Sequence, residues 1–429
     1  MKTSALITEV REKKLDAALS ELYGKEALSS ARERYLSALT SFCELYGDRE
    51  DTRIFSVPGR SEISGNHTDH NNGRVLAASV NLDIIAVASP TEDGVIRLQS
   101  QGFEPDEVVI ERREETKTLR YSSAALIAGV CDGFLRAGHP VGGFVAYTAN
   151  DVFKGSGLSS SAAFEVMVGN ILRTLYPSER RVGDLELAMI AQYAENEFFG
   201  KPCGLMDQTA CAVGGLIAID FCEPGRPDVE KLPFDLSAAG YALCIVNTGG
   251  NHADLNEDYA SVPAEMKRVA AALGAPVLRK TTKEALLARL PALRKSCGDR
   301  AVLRALHYFN ENARVERQAA ALKAGELPAF LALVNESGSS SFRYLQNVYT
   351  TKNVEEQGVS LALFLAEDYL SHLKKPAACR VHGGGFAGTI QAFVPNEEAK
   401  GFRRAMDAAF GEGACHILKI RLKGAVVLV

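Results

Sequence analysis

The run Gly155-Ser156-Gly157-Leu158-Ser159-Ser160-Ser161-Ala162-Ala163 passes at once into an apolar, helix-like stretch, Ala162 to Leu175. Glycine and serine leave backbone N–H groups accessible. A following helix start adds free donors and the positive end of its dipole. That combination suits a polyanion such as a nucleoside triphosphate. The spacing is not the Walker pattern, which requires Gly-Lys-Ser/Thr after four spacers. A glycine-serine turn into an N-capped helix is the plain alternative for this run alone.

Three other segments could do chemistry. Pro58 to Gly73 reads PGRSEISGNHTDHNNG, dense in polar side chains that are costly to bury without partners. It fits a ligand rich in hydroxyls, or a solvated loop. Pro202-Cys203-Gly204-Leu205-Met206-Asp207-Gln208 places a carboxylate among apolar neighbours after a helix. Asp207 there could orient or deprotonate a hydroxyl, or cap the helix. His382-Gly383-Gly384-Gly385-Phe386-Ala387-Gly388 lets backbone approach something closely, or is a glycine-rich hairpin.

The elements that must position these segments alternate between helix and strand. Residues 1 to 48 read as helical, with Leu15, Leu19 and Leu22 at helical spacing. Phe55 to Val57 reads as a short strand broken by Pro58-Gly59. Val75 to Ala88 is β-rich, with Val95 to Leu98 as its hairpin partner. A strand at Phe144 to Ala149 enters the glycine-serine loop, and Leu185 to Phe199 is a helix closing at Gly200. Pro224-Gly225-Arg226-Pro227 marks the domain boundary, giving domains 1–225 and 226–429.

At 429 residues two domains are expected. A net charge of −5 provides no basic field, so nucleic acid is not an expected partner. No apolar run spans a bilayer, and Met1 to Lys14 lacks the core of a signal peptide. Nine scattered cysteines point to reduced thiols in the cytoplasm.

In this order the segments resemble the sugar-kinase superfamily named for galactokinase, homoserine kinase, mevalonate kinase and phosphomevalonate kinase, within it the galactokinase branch. Gly59 to His70 stands where that branch has Gly-Arg-x-Asn-hydrophobic-hydrophobic-Gly-Glu-His-x-Asp-Tyr. Gly155 to Ala163 and Cys203 to Gln208 match intact, and Asn247 to His252 with Tyr259 matches a later pattern. The resemblance implies an α+β fold of two domains, ribosomal protein S5 domain 2-like then ferredoxin-like, with the active site in the cleft. It implies transfer of the ATP γ-phosphoryl to the C1 hydroxyl of D-galactose. Asp207 matches the catalytic carboxylate and Arg60 its cationic partner. Asn66, His67, Asp69, Gly204 and Tyr259 match sugar-contacting positions. Gly155, Ser156, Gly157, Leu158, Ser159, Ser160, Ser161 and Ala162 match the phosphate loop, Ser161 and Glu195 the Mg²⁺ ligands, and Gly383, Gly384 and Gly385 the third glycine motif. Small molecules are the expected partners and a monomer the expected state, with a homodimer as alternative.

Departures open alternatives. Asn66 replaces the signature glutamate; its amide would tolerate a C6 carboxylate that a glutamate would repel, which admits galacturonic acid as substrate. Glu62 replaces the asparagine, Ser64 an aliphatic residue and His70 the tyrosine. His382 replaces a threonine and Ala387 a glycine of the third motif. Ser123-Ala124-Ala125-Leu126 stands where the family has Trp-Ala-Asn-Tyr beside adenine, and the chain contains no tryptophan. A catalytically silent sugar sensor is the remaining alternative.

Overall fold

The computed structural model describes residues 1–152, 158–201, 203–250 and 255–429. These residues form two sheets. The first contains β1 (Arg53–Ser64), β2 (Arg74–Pro90), β3 (Val95–Ser100), β4 (Asp106–Val109), β5 (Phe144–Asn150), β6 (Leu216–Asp220) and β7 (Asp228–Leu232). The second contains β8 (Tyr241–Asn247), β9 (Ala378–His382), β10 (Thr389–Pro395) and β11 (Cys415–Leu418). A last strand, β12 (Val426–Val427), returns to pair with β1.

The long β2 holds the first sheet together. Its first part pairs with β6, its last part with β5, and β1 runs along its other side. Side chains alternate across a strand, and here both faces are apolar. Phe55, Ala86 and Ala88 join the core beneath α4 (Ser123–Arg136), α5 (Ser160–Leu175), α6 (Asp184–Tyr193) and α7 (Met206–Val213). Ile54, Ile85 and Val87 face the opposite way and meet Leu19, Leu39 and Phe42. The N-terminal helices α1 (Thr3–Arg11), α2 (Asp16–Tyr23) and α3 (Leu28–Tyr46) thus cover the second face.

The second sheet is antiparallel in the order β11-β8-β10-β9. Counted from its own first strand this is 4-1-3-2, the ferredoxin-like arrangement. Between β8 and β9 the chain inserts a helical layer. Its helix at Leu327–Ser340 places Phe330 edge-on to Phe393 of β10, centroids 5.4 Å apart. Val315 and Leu322 of the preceding helix, Asp299–Lys323, share a core with Leu216 of the first sheet.

Three expectations are corrected. Pro58-Gly59 does not end a strand. β1 continues from Arg53 to Ser64, and the pairing register shifts between Pro58 and Arg60, a bulge that absorbs the irregular pair. Val95–Leu98 does not pair with β2. It lies parallel to β5 and antiparallel to β4. Gly143 allows this, because a Cβ there would sit 2.7 Å from the Val95 carbonyl oxygen, and its absence lets β5 start between the two. Pro224 to Pro227 forms the turn of the β6–β7 hairpin. The division expected near residue 225 therefore falls inside the first sheet, and the second sheet starts only at Tyr241. Among the described residues no helix is long and apolar enough to cross a membrane.

Candidate active site

Arg60 follows the β1 bulge, and Asp207 lies in the first turn of α7. The guanidinium Nε donates to Asp207 Oδ1 at 2.6 Å, and Nη2 to Oδ2 at 2.5 Å. This two-point pairing is the strong form of an ion pair. Ser159 Oγ donates to the same Oδ2 at 2.6 Å. Ser159 begins α5 with a left-handed backbone, φ 56°, and its side chain does not cap that helix. The hydroxyl is turned to Asp207 instead. Burial pulls the Asp207 pKa upward, but the charge and hydrogen bonds of Arg60, Ser159 and the nearby Lys201 outweigh it, and the carboxyl is held below its ordinary range.

At the second residue of α5, Ser161 Oγ donates to Glu195 Oε1 at 3.3 Å. Glu195 is 2% exposed, so it is not a surface position of its helix. It sits in the π-helical turn Ala194–Phe199, a distortion found often at functional sites. Lys201 Nζ lies 3.2 Å from the same Oε1, and Gln208 Nε2 donates to Oε2 at 2.8 Å. Gln208 also donates to Glu165, 3.2 Å away and fully buried. Burial first, then the charge of Glu195, pushes the Glu165 carboxyl well up. Sequence alone gives no role to Lys201 or Glu165, and shows Gln208 only as the last residue of the Cys203 to Gln208 motif. Lys201 read only as part of a helix stop. Glu165 gave one signal, a charge amid the apolar face of α5.

The sugar-signature residues form a second group. Asp69 lies against Gly204, where a Cβ would be 2.6 Å from Asp69 Oδ2. His67 Nε2 is 3.0 Å from the Gly384 carbonyl. Burial, then neighbouring His70, lowers its pKa to about 4, so the ring is neutral near pH 7. Tyr259 donates to the Gly385 carbonyl at 2.9 Å. Backbone strain gathers here: His67 and Phe386 have φ of 60°. Such strain clusters at functional sites.

Asn66 departs from expectation. It is fully buried, and its amide meets protein groups. Nδ2 donates to Gly383 O at 2.7 Å and Glu62 Oε1 at 3.0 Å, while Oδ1 accepts from Asn347 at 2.7 Å. An amide engaged on both sides by protein groups does not face a sugar, so Asn66 gives no preference for a uronic acid. The third glycine motif likewise packs on the sugar signature through carbonyls of Gly383 and Gly384. Leu158 and Ala162 are buried, so only their backbones could serve a phosphate. Leu158 O accepts from the Arg60 amide at 3.1 Å. Gly155, Ser156 and Gly157 lie outside the described residues.

The comparisons fit this geometry. The family description "GHMP kinases N terminal domain" matches residues 122–215, and "Galactokinase galactose-binding signature" matches residues 40–90. A mevalonate kinase from Methanococcus jannaschii shares the fold at 13% identity, TM-score 0.61, covering 87% of this chain and 99% of that one. With the relatives that follow, above 30% identical over most of the chain, this makes the chain a phosphotransferase of the GHMP kinase superfamily. A galactokinase of Streptomyces coelicolor is 32% identical across 86% of this chain and 91% of its own. The human galactokinase is 31% identical across 96% and 99%. A Lactococcus lactis galactokinase structure, complexed with galactose, superposes at TM-score 0.75 and 26% identity, covering 90% of this chain and 98% of that one. The chain belongs to the galactokinase family, whose phosphoryl donor is ATP.

Proposed function

We propose that this chain phosphorylates the C1 hydroxyl of D-galactose, giving galactose 1-phosphate and ADP. The observation that carries the reading is the Arg60–Asp207 pair held beside Ser159 at the start of α5. The sugar lies against His67, Asp69, Gly204 and Tyr259, with its C1 oxygen at Asp207. The triphosphate lies along the loop from Gly155 to Ala162. The hydroxyl oxygen bonds to the γ-phosphorus, the bond to the ADP oxygen breaks, and the hydroxyl proton leaves toward Asp207. A loose transition state asks more for alignment than for a strong base, which suits a carboxylate held ionised. Arg60 offsets charge on the phosphoryl oxygens.

Ser161 and Glu195 fit a magnesium ion that keeps several waters. A hydroxyl and a carboxylate already meet there, with the Lys201 ammonium on the same oxygen. Bound Mg²⁺ would neutralise phosphate charge and fix the triphosphate. The protein acts as a cytoplasmic monomer in this reading, with its nine cysteines as free thiols. A coupled assay of ADP formation over a sugar panel tests the proposal. Galactose-dependent turnover is expected. Turnover with another sugar only, or with none, overturns it.

A further inference from the structure

We infer that Glu311 is a positioning residue for galactose, an inference that rests on the sugar reading above: from the helical layer of the second sheet, its carboxylate and the His307 ring hold the backbone turn that carries His67 and Asp69. Glu311 and His307 lie one turn apart on the helix Asp299–Lys323, and both are fully buried. Glu311 Oε1 accepts from the Gly65 amide and from Ser64 Oγ, each at 3.1 Å. His307 Nε2 lies 3.0 Å from the Asn66 carbonyl. A carbonyl only accepts, so that nitrogen carries the proton, and Nδ1 meets Ser340 Oγ at 2.9 Å. The peptide before Gly65 and the peptide after Asn66 are thus fixed from one helix.

The turn needs such fixing. His67, next along, has the left-handed φ of 60°, which persists in a residue with a side chain only where neighbours impose it. Asp69 follows and opens the short 3-10 segment Asp69–Asn71. The Glu311 carboxylate itself has no room for a sugar. Ser337 Oγ also donates to Oε1, and Arg314 Nη1 pairs with Oε2, so protein groups take its lone pairs. Glu311 therefore acts through the turn and not on the ligand. Ser64 fits the same role. An aliphatic side chain there, as in the family signature, would leave Oε1 one donor short, and the fully buried Ser64 supplies it. A buried carboxylate is costly unless it is paired and hydrogen-bonded. Ser64 and Gly65 of the sugar turn provide part of what this charge requires, so the charge and the turn hold each other in place.

Three variants of the full-length protein separate positioning from stability, read by calorimetric titration of galactose well below each unfolding midpoint. Glu311→Asp keeps the charge for Arg314 but, one methylene shorter, withdraws it from the Gly65 amide. It should raise the galactose Kd roughly tenfold, and the galactose KM with it, leaving kcat and the ATP KM near wild type. Glu311→Gln keeps an acceptor for Gly65 and loses the charge, so it should unfold at lower temperature with a galactose Kd near wild type. Ser64→Ala leaves both charges in place and should raise the Kd roughly threefold. A Kd unmoved in Glu311→Asp or in Ser64→Ala, or raised as much by Glu311→Gln as by Glu311→Asp, overturns the inference. A wild-type protein that binds no galactose overturns it together with the proposed function. The expected Kd pattern in a protein that forms no sugar phosphate keeps the role of Glu311 and removes the kinase reading.

Discussion

Arg60 and Asp207 are 147 residues apart in sequence and joined by two hydrogen bonds in the fold. The guanidinium opposes what burial would otherwise do to the carboxyl. Asp207→Asn should lower kcat by roughly 10²- to 10⁴-fold, with galactose binding retained in a thermal-shift assay. The pH dependence carries the sign. In the proposed reaction catalysis needs the ionised carboxylate, so activity should fall as pH drops through its pKa. In the wild type that limb lies below the ordinary aspartate value of about 3.9. Arg60→Gln removes the opposing charge and should move the limb upward. A kcat/KM profile on both proteins checks this. An unmoved limb would detach Arg60 from the titration.

Gly204 gives Asp69 its room. A Cβ at Gly204 would lie 2.6 Å from Asp69 Oδ2, closer than such contacts occur. Gly204→Ala should therefore displace the carboxylate proposed to meet the sugar. The expected result is a galactose KM raised roughly tenfold, about 1.4 kcal/mol, with the ATP KM unchanged. Steady-state kinetics with each substrate varied separates the two.

Lys201 and a magnesium ion would compete for one oxygen, Glu195 Oε1. Their variants should respond in opposite directions. Glu195→Gln should raise the Mg²⁺ concentration for half-maximal activity by roughly tenfold or more. Lys201→Met should lower that concentration while raising the ATP KM, because a cation near the phosphates is lost. Mg²⁺ titrations at fixed ATP read both. A Lys201→Met protein needing more metal than wild type contradicts the competition.

The meeting of Arg60 with Asp207 was legible because motif order brought both into one expected site, and the α/β alternation because local periodicity did. What local signals could not show was pairing. Pro58-Gly59 looked like a strand end because proline and glycine usually are, but β2 pairs on both sides of the bulge. Pro224 to Pro227 looked like a linker because the same residues mark hairpin turns and domain joints alike. The N-terminal helices were readable as helices, yet nothing local said that the sheet needed a second cover. Only the opposite orientations of Ile54 and Phe55 reveal that. Lys201 was hidden in a helix stop, and its role appears only when Glu195 folds against it.

Glu62 and Asn66 stand where the family signature has asparagine and glutamate, and they bond to each other at 3.0 Å. The two groups have exchanged places. Arg380 Nη2 approaches the same Glu62 oxygen at 3.5 Å. Asn66→Glu alone sets two buried carboxylates side by side and removes the donor to Gly383 O. It should destabilise the protein by about 2–4 kcal/mol. Adding Glu62→Asn restores one amide and one carboxylate and should recover part of that loss. Urea unfolding of both singles and the double closes the cycle. Strict additivity would show that the exchange is not coupled.

Asp83 ties the N-terminal helices and the C-terminal tail to the first sheet. It is fully buried in β2. Arg34 Nη1 donates to Oδ1 at 2.5 Å, Arg421 Nη1 to Oδ2 at 3.0 Å, and Tyr23 and Ser56 add their hydroxyls. Burial alone would raise its pKa, but the two guanidinium groups reverse this and hold it low. Asp83→Asn leaves those cations in place without their counter-charge and should cost about 3–5 kcal/mol near neutral pH. A carboxyl lowered in the folded state stabilises fully above its unfolded pKa, near 3.9. That contribution fades as pH falls through the lower folded value. The stability gap between wild type and Asp83→Asn should thus be widest near neutrality and narrow in acid. Denaturant midpoints across that range test it, and a gap that widens on acidification would refute the role given to Arg34 and Arg421.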